Sequence, residues 1–379
     1  MKCKKYKSVF ICKFPTFELN PKIAGFDLDG TLIETKSGVR FAKTATDWMF
    51  KFPCIKKKLR KLYQAKYCIV IFTNQAGISC NRTNPNVLFK KIQLIQEELN
   101  IPIEVFIATE KDTFRKPCIG MWNILHKMHR SKSTDYTESF YIGDAAGRSK
   151  GWKPGAKRDF SVSDRKFAHN IGIKFYTPEE YFLDEPIAKF EWRSFNPDIL
   201  MLTKESTQAS ANDLITAKLS LEPELILMVG PPASGKSFIC QKYLIPNNYI
   251  HINRDTLKTK TKCLKVTNSV LCKAESCVID NTNPTVAARK EYIDIAEKYG
   301  IKVKCFVMKT PRELAEHLNA FREKQGNNKR KKIPLVAYHK FFKTYEMPSL
   351  TEGIHEIHEL DFVPDFISPE EHKLFNEFT

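Results

Sequence analysis

The chain has 379 residues, 42% hydrophobic and 27% charged, which excludes a disordered chain and predicts two domains of roughly 150–200 residues each. No apolar run approaches the roughly 18–20 residues of a membrane-spanning helix, and the basic start lacks the apolar stretch and small-residue cleavage site of a secretory signal. Lys and Arg total 61 against 43 acidic residues; a net charge of +18 points to a polyanionic partner, because neutralising phosphates releases counterions.

Residues 1–19 read as a basic, solvated N-terminal segment whose lysines are compatible with a nuclear or mitochondrial address. Beyond it, apolar strand-like runs at 23–26, 67–72, 105–108 and 139–142 alternate with helical stretches such as 87–99. Polar residues follow the ends of these runs, where an open parallel α/β sheet places its ligand crevice. This first unit is assigned to residues 20–195. The stretch 196–220, with Asn196-Pro197 and a polar run at 203–212, reads as a connector. A second α/β unit, 221–379, follows, with strands at 225–229, 276–280 and 302–308 and helices at 236–243 and 285–299. The charge run at 322–332 reads as a solvated loop.

The eleven cysteines are odd in number, contain no C-x-x-C and lie closest as Cys272 and Cys277, so neither a disulfide framework nor a zinc site is expected. Reduced thiols packed as small apolar groups, and hence a reducing intracellular compartment, are expected instead. His126/His129 and His355/His358 stand at helical spacing without carboxylate or Cys partners nearby. Packing or surface roles are expected for all nine histidines.

Asp27-Leu28-Asp29-Gly30-Thr31 closes the first apolar run. Residues two apart at an extended strand end project to the same side, and Gly30 lets the backbone turn away beyond them. The motif resembles the site of a phosphatase, which needs a nucleophile that is anionic at neutral pH. Asp27 would attack phosphorus, while Asp29 would protonate the departing alcohol and then deprotonate water. A dianionic ester needs a cation to approach two carboxylates, so Mg2+ is expected, held by Asp27, Asp29 and Asp144. Thr73 would donate to a phosphoryl oxygen and Lys116 would balance charge. The set resembles that of an HAD-like (Rossmannoid) phosphatase.

Gly230-Pro231-Pro232-Ala233-Ser234-Gly235-Lys236-Ser237, between a strand and a helix, reads as a P-loop. The loop, Gly230, Ser234 and Gly235 included, would cradle the phosphates of ATP with its N–H groups. Lys236 would neutralise their charge and Ser237 would ligate Mg2+. Asp255 is the expected base that takes a proton from an attacking hydroxyl, the mark of a kinase rather than an ATPase. Asp280 would line the same cleft or serve as an ordinary turn residue.

Together these residues resemble the bifunctional polynucleotide kinase 3′-phosphatases of DNA strand-break repair. The resemblance runs from about residue 21 to 362 and rests on the two motifs above with several others. In the first half these are Thr73-Asn-Gln75, Arg115-Lys-Pro117, Gly143-Asp-Ala-Ala-Gly-Arg148, Asp159-Phe-Ser161, Ser163-Asp-Arg165 and Thr177-Pro-Glu-Glu180. In the second they are Asn253-Arg-Asp-Thr-Leu257, Asp280-Asn-Thr-Asn-Pro284, Phe321-Arg-Glu323 and Glu352-Gly353. It implies an HAD-like phosphatase domain followed by a P-loop NTPase kinase domain, acting as a monomer on the 3′-phosphate and 5′-hydroxyl ends of DNA with Mg2+ and ATP, in the nucleus. It further implies that Arg289 and Arg322 face phosphate or nucleotide. Vertebrate members carry an N-terminal forkhead-associated domain; about 20 residues are too few to fold as one, so scaffold docking by that route is not expected. Ala320 stands where the family carries Arg in the lid, implying a weaker kinase. Three readings compete: healing of RNA ends, a metabolite phosphatase fused to a small-molecule kinase, and a non-catalytic end binder.

Overall fold

The computed structural model describes residues 1–379 apart from 19, 41, 130–133, 203–214 and 326–331. The polar run expected at 203–212 and most of the charge run at 322–332 therefore lie outside the described residues. The chain divides into two units, Met1–Asn196 with Asn376–Thr379, and Pro197–Phe375.

The N-terminal segment, expected to be solvated, is paired into the first unit's sheet. β1 (Lys2–Tyr6) and β2 (Val9–Lys13) form an antiparallel hairpin, and β2 pairs antiparallel with a strand of the first sheet, Val9 opposite Ala108 and Lys13 opposite Glu104. Val9 and Cys12 are fully buried, so the short apolar run Val9-Phe10-Ile11-Cys12 outweighs the surrounding lysines. Those lysines suit an edge strand, where charge discourages pairing with a further chain. Cys3 and Cys12, opposite each other in this hairpin, are joined as a disulfide, contrary to the all-thiol expectation.

The remaining strands of this sheet are β3 (Ile23–Phe26), β6 (Cys68–Asn74), β7 (Ile103–Ala108), β8 (Phe140–Ile142) and β9 (Lys174–Tyr176); β4 (Ile33–Glu34) and β5 (Met49–Phe50) form a separate small hairpin. The order is β1-β2-β7-β6-β3-β8-β9, parallel from β7 to β9. Every residue of β3 and β7 is buried, as expected of strands covered on both faces. The helix Pro85–Leu99 starts where Asn84 accepts from the Asn86 amide and Pro85 supplies a ready helical φ. It lays Leu88, Ile92, Ile95 and Leu99 on one face of the core.

The second unit carries a five-stranded, wholly parallel sheet in the order β11-β12-β10-β13-β14. Its strands are β10 (Glu224–Val229), β11 (Ile250–Ile252), β12 (Cys277–Ile279), β13 (Lys302–Lys309) and β14 (Glu356–Asp361). Thr285 caps the helix Val286–Lys298, which buries Tyr292, Ile293 and Ala296 against the sheet. In both units the motif residues follow the carboxyl ends of neighbouring parallel strands, where α/β sheets bind ligands.

Two candidate phosphoryl-transfer sites

In the first unit, the ends of β3, β6 and β8 bring together Asp27, Thr73 and Asp144. Asp27 is 8% exposed, and Asp29, Gly30 and Asp144 beside it retain solvent exposure, so the nucleophile candidate is the floor of an accessible site. Lys116 Nζ lies 2.6 Å from Asp27 Oδ1, 2.7 Å from Asp164 Oδ1 and 2.8 Å from the Tyr141 hydroxyl. The Asn74 side chain fixes the Lys116 backbone at both ends, donating to its carbonyl (3.1 Å) and accepting from its amide (3.0 Å). The Asp144 amide donates to Thr31 Oγ1 at 3.0 Å, and a Cβ on Gly30, whose φ is +81°, would sit 2.6 Å from Asp144 Oδ2. Only glycine fits there.

Asp164, which sequence reasoning left without a role, joins Asp27 and Asp144 in a group whose ligand atoms all lie within 4.8 Å of one another. One ammonium faces three carboxyl groups, so full ionisation of all three would leave negative charge unbalanced. Burial, reinforced by Asp164, pushes the Asp144 carboxyl up to about 7. Burial likewise lifts Asp27 well above the usual carboxylate range despite Lys116, with Asp164 and Asp144 adding to it. A hard divalent cation is what this all-oxygen set lacks, so the residues fit Mg2+.

The Asp29 side chain lies outside that group. Its carboxylate is about half exposed and engaged elsewhere: Gln75 Nε2 donates to Oδ2 at 2.6 Å, and Lys91 Nζ stands 3.6 Å from Oδ1. Gln75 also donates to Thr73 Oγ1 at 3.0 Å, linking two expected catalytic residues. Neither Gln75 nor Lys91 was singled out; Gln75 could have been, since it closes the Thr73-Asn-Gln75 motif. Behind the site, Lys51 donates to the Gly30 carbonyl (2.8 Å) and pairs with Glu179 (3.0 Å). Arg148 pairs with Glu179 (2.7 Å) and Asp159 (2.9 Å). The later motifs thus brace the catalytic turn.

In the second unit the P-loop follows β10. Ala233 (φ +58°) and Gly235 (φ +95°) shape the turn, which runs into an α-helical turn, Lys236–Ile239, and then a wider turn, Cys240–Leu244. Lys236 is 7% exposed while Ala233, Gly235 and Ser237 around it keep partial exposure. Its Nζ donates to the carbonyls of Gly230 (3.0 Å) and Pro231 (2.6 Å) and to Ser234 Oγ (3.2 Å). Burial lowers its pKa to about 8, against the opposing charges of Asp280 and Asp255. An anionic phosphate would relieve that, so the loop fits a nucleotide.

Ser237 Oγ donates to Asp280 Oδ2 at 2.6 Å, and His251 Nε2 lies 3.0 Å from the same oxygen. Burial raises the Asp280 pKa, but the His251 and Ser237 hydrogen bonds and Lys236 outweigh it and hold the group below its ordinary value. His251 is thus no mere packing residue, contrary to expectation; its position two residues before Asn253-Arg-Asp255 was the available signal. Asp255 is exposed on a short helical turn capped by Asn253, which accepts from the Thr256 amide at 2.8 Å; the Arg254 amide is tied to Asn281 at 3.0 Å.

Arg289 is not a phosphate ligand. It is fully buried, paired with both oxygens of Glu352 at 2.7 Å and bonded to the carbonyls of Asn283 and Glu346. The motif Glu352-Gly353 is its counterpart. Arg322 donates to Asn319 Oδ1 at 3.0 Å, one turn away on the helix Arg312–Lys324 that also carries Ala320.

Known proteins resemble both units. A family described as "Polynucleotide kinase 3 phosphatase" matches residues 22–182, and one described as "AAA domain" matches 225–348. The "Bifunctional polynucleotide phosphatase/kinase" of Schizosaccharomyces pombe is 40% identical over 355 residues, 94% of this chain and 83% of that protein. A protein of Acanthamoeba polyphaga mimivirus, provisionally given the same description, is 37% identical over 370 residues, 91% of this chain and 85% of its own. The "Polynucleotide 3'-phosphatase" of Saccharomyces cerevisiae is 31% identical over 234 residues, 46% of this chain and 94% of that protein.

Proposed function

The chain belongs to the family of bifunctional polynucleotide phosphatase/kinases, and from that premise we propose how its two sites divide the healing of a broken strand. It is an enzyme with an HAD-like phosphatase domain followed by a P-loop kinase domain. In our reading the first removes 3′-phosphate from DNA ends and the second phosphorylates 5′-hydroxyl ends with ATP, leaving termini that a ligase can join. The observation that carries this reading is that Asp27 and Lys236, each the floor of an accessible strand-end site, belong to different compact units. The two reactions need not share a group.

For the phosphatase, an Asp27 oxygen attacks phosphorus and the bond to the 3′-oxygen breaks, giving an aspartyl-phosphate. Asp29, exposed beside it, gives the departing oxygen its proton and then takes one from the water that cleaves the acyl phosphate. Gln75 holds Asp29 and Thr73 in one hydrogen-bonded row, leaving the Thr73 hydroxyl proton for a phosphoryl oxygen. Lys116 offsets charge on Asp27 in both steps. Asp27 and Asp144, with Asp164 adjacent, would hold Mg2+, which when bound screens the dianionic ester from these carboxylates.

For the kinase, the P-loop amides and Lys236 hold the phosphates of ATP, which supplies the phosphoryl group. The Lys236 donors now engaged by Gly230 and Pro231 carbonyls are those that would turn to phosphate oxygens. Ser237 would ligate the accompanying Mg2+, and Asp255 takes the proton of the 5′-hydroxyl as it attacks.

DNA rather than RNA is supported by the resemblance of both motif sets to the enzymes of DNA strand-break repair. The test is a pair of matched oligonucleotides ending in 3′-phosphate, one DNA and one RNA. A kcat/KM at least about tenfold higher on DNA is expected, and a preference for RNA would overturn that part of the reading.

A further inference from the structure

We propose that Cys240, His251 and Asp280 form a binding site for a thiophilic divalent cation of the zinc class, whose occupancy silences the kinase; the second half of this rests on the kinase reading above. The three residues come from three elements: Cys240 from the wide turn after the P-loop helix, His251 from β11, Asp280 from the end of β12. Their sulfur, nitrogen and oxygen ligand atoms all lie within 4.8 Å of one another. Cys240 is fully buried and Asp280 7% exposed, whereas the His251 side chain keeps 21% exposure, which gives an ion a way in.

The donor chemistry identifies the ion. Among the described residues there are two groups able to hold a metal, and they differ in kind. Asp27, Asp144 and Asp164 offer only oxygen, which suits a hard cation. Cys240, His251 and Asp280 offer one sulfur, one nitrogen and one oxygen, a set that selects zinc over magnesium. Around a tetrahedral zinc such ligand atoms lie about 3.3–3.6 Å apart, and His251 Nε2 and Asp280 Oδ2 already stand 3.0 Å from each other. Three protein ligands leave a fourth position for water.

Binding is balanced without any co-reactant. The Cys240 thiol gives its proton to solvent as its sulfur bonds the cation, neutral His251 ligates through Nε2, and Asp280 ligates through a carboxylate oxygen. One of the two Asp280 oxygens, Oδ2, now accepts from Ser237 Oγ at 2.6 Å. A cation there takes the acceptor from Ser237 and sets positive charge beside Lys236, where the magnesium of bound ATP must be held. Kinase and zinc therefore exclude each other. The phosphatase, in the other unit, keeps its own all-carboxylate group.

The experiment uses the full chain, stripped of metal with a chelator and given magnesium, ATP and increasing zinc chloride. Kinase activity is expected to fall at least about tenfold while phosphatase activity on the same molecules changes less than about twofold. In Cys240→Val, which keeps the buried volume, the zinc needed for half-inhibition should rise at least about tenfold, and kinase activity without zinc should match the parent. An X-ray absorption spectrum of the native protein with one equivalent of zinc should show one sulfur with nitrogen and oxygen neighbours, and it needs no variant to fold. A spectrum without sulfur, equal inhibition of both activities, or unchanged zinc sensitivity in a folded Cys240→Val would overturn the proposal. A protein with no kinase activity would sink the kinase reading and with it the silencing, while the spectrum would still decide the metal site.

Discussion

The Lys116 ammonium lies 2.6 Å from Oδ1 of Asp27, and both groups are almost wholly buried. Lys116 is also 2.7 Å from Asp164, so one cation serves two carboxylates. Burial lowers the Lys116 pKa, but Asp164 and Asp27 more than reverse it, and the lysine is held charged. Lys116→Met should therefore lower phosphatase kcat by about 10²–10⁴-fold and leave kinase kcat within about twofold. Assaying both activities on one preparation checks this, and retained phosphatase activity would refute the charge-balancing role.

Asp164→Asn isolates the residue that sequence reasoning passed over. It keeps the shape but removes one of three clustered carboxyl groups. The magnesium concentration for half-maximal phosphatase activity should rise by about tenfold, with no change in the magnesium dependence of the kinase. A magnesium titration of both activities reads this directly; superimposable phosphatase curves would mean that Asp164 has no part in holding the ion.

Arg289 makes a structural claim where a nucleotide contact had been expected. Breaking its buried pair with Glu352 should cost the second unit about 3–5 kcal/mol, seen as a lower denaturation midpoint. The double variant Arg289→Met/Glu352→Leu should recover part of that loss, because no unpaired charge is left buried. If folded Arg289→Met instead keeps parental stability and loses ATP affinity, Arg289 is a nucleotide ligand after all.

Glu179 predicts a pH dependence of stability. Burial raises its pKa, but Lys51 and Arg148 outweigh this and hold it at about 2, against 4.5 for the free side chain. A depressed folded pKa means that the folded state binds fewer protons. The contribution is present above about pH 4.5 and lost as pH falls toward 2, and it is on the order of 3 kcal/mol. Glu179→Gln should thus be less stable than the parent at pH 7, with the gap narrowing steadily below pH 4. A constant gap across that range, read by denaturant unfolding, would refute the linkage.

Much of the site was legible because its chemistry is written at strand ends. Asp27, Asp144 and the P-loop follow β3, β8 and β10, and Thr73 stands at the end of β6; apolar runs ending in polar residues mark them from sequence alone. Asp164 and Lys91 escaped because each sits on a helix, where a single acid or base among many carries no periodic signal; only the packing turns Lys91 toward Asp29. His251 escaped because β11 is three residues long and its partner Asp280 is 29 residues away. The β1–β2 hairpin was hidden by lysines on its exposed strand, and the Cys3–Cys12 bond lay inside it. Arg289 was misjudged because a buried Arg and a phosphate-facing Arg look alike until Glu352, 63 residues on, is seen beside it.

The central claim is two independent phosphoryl-transfer sites in one chain. A nicked DNA duplex bearing 3′-phosphate and 5′-hydroxyl ends, incubated with Mg2+ and labelled ATP, tests it with Asp27→Asn and Lys236→Ala beside the parent. The parent should release phosphate and label the 5′ end; Asp27→Asn should lose only release, and Lys236→Ala only labelling. Loss of both activities in either folded variant would contradict the account.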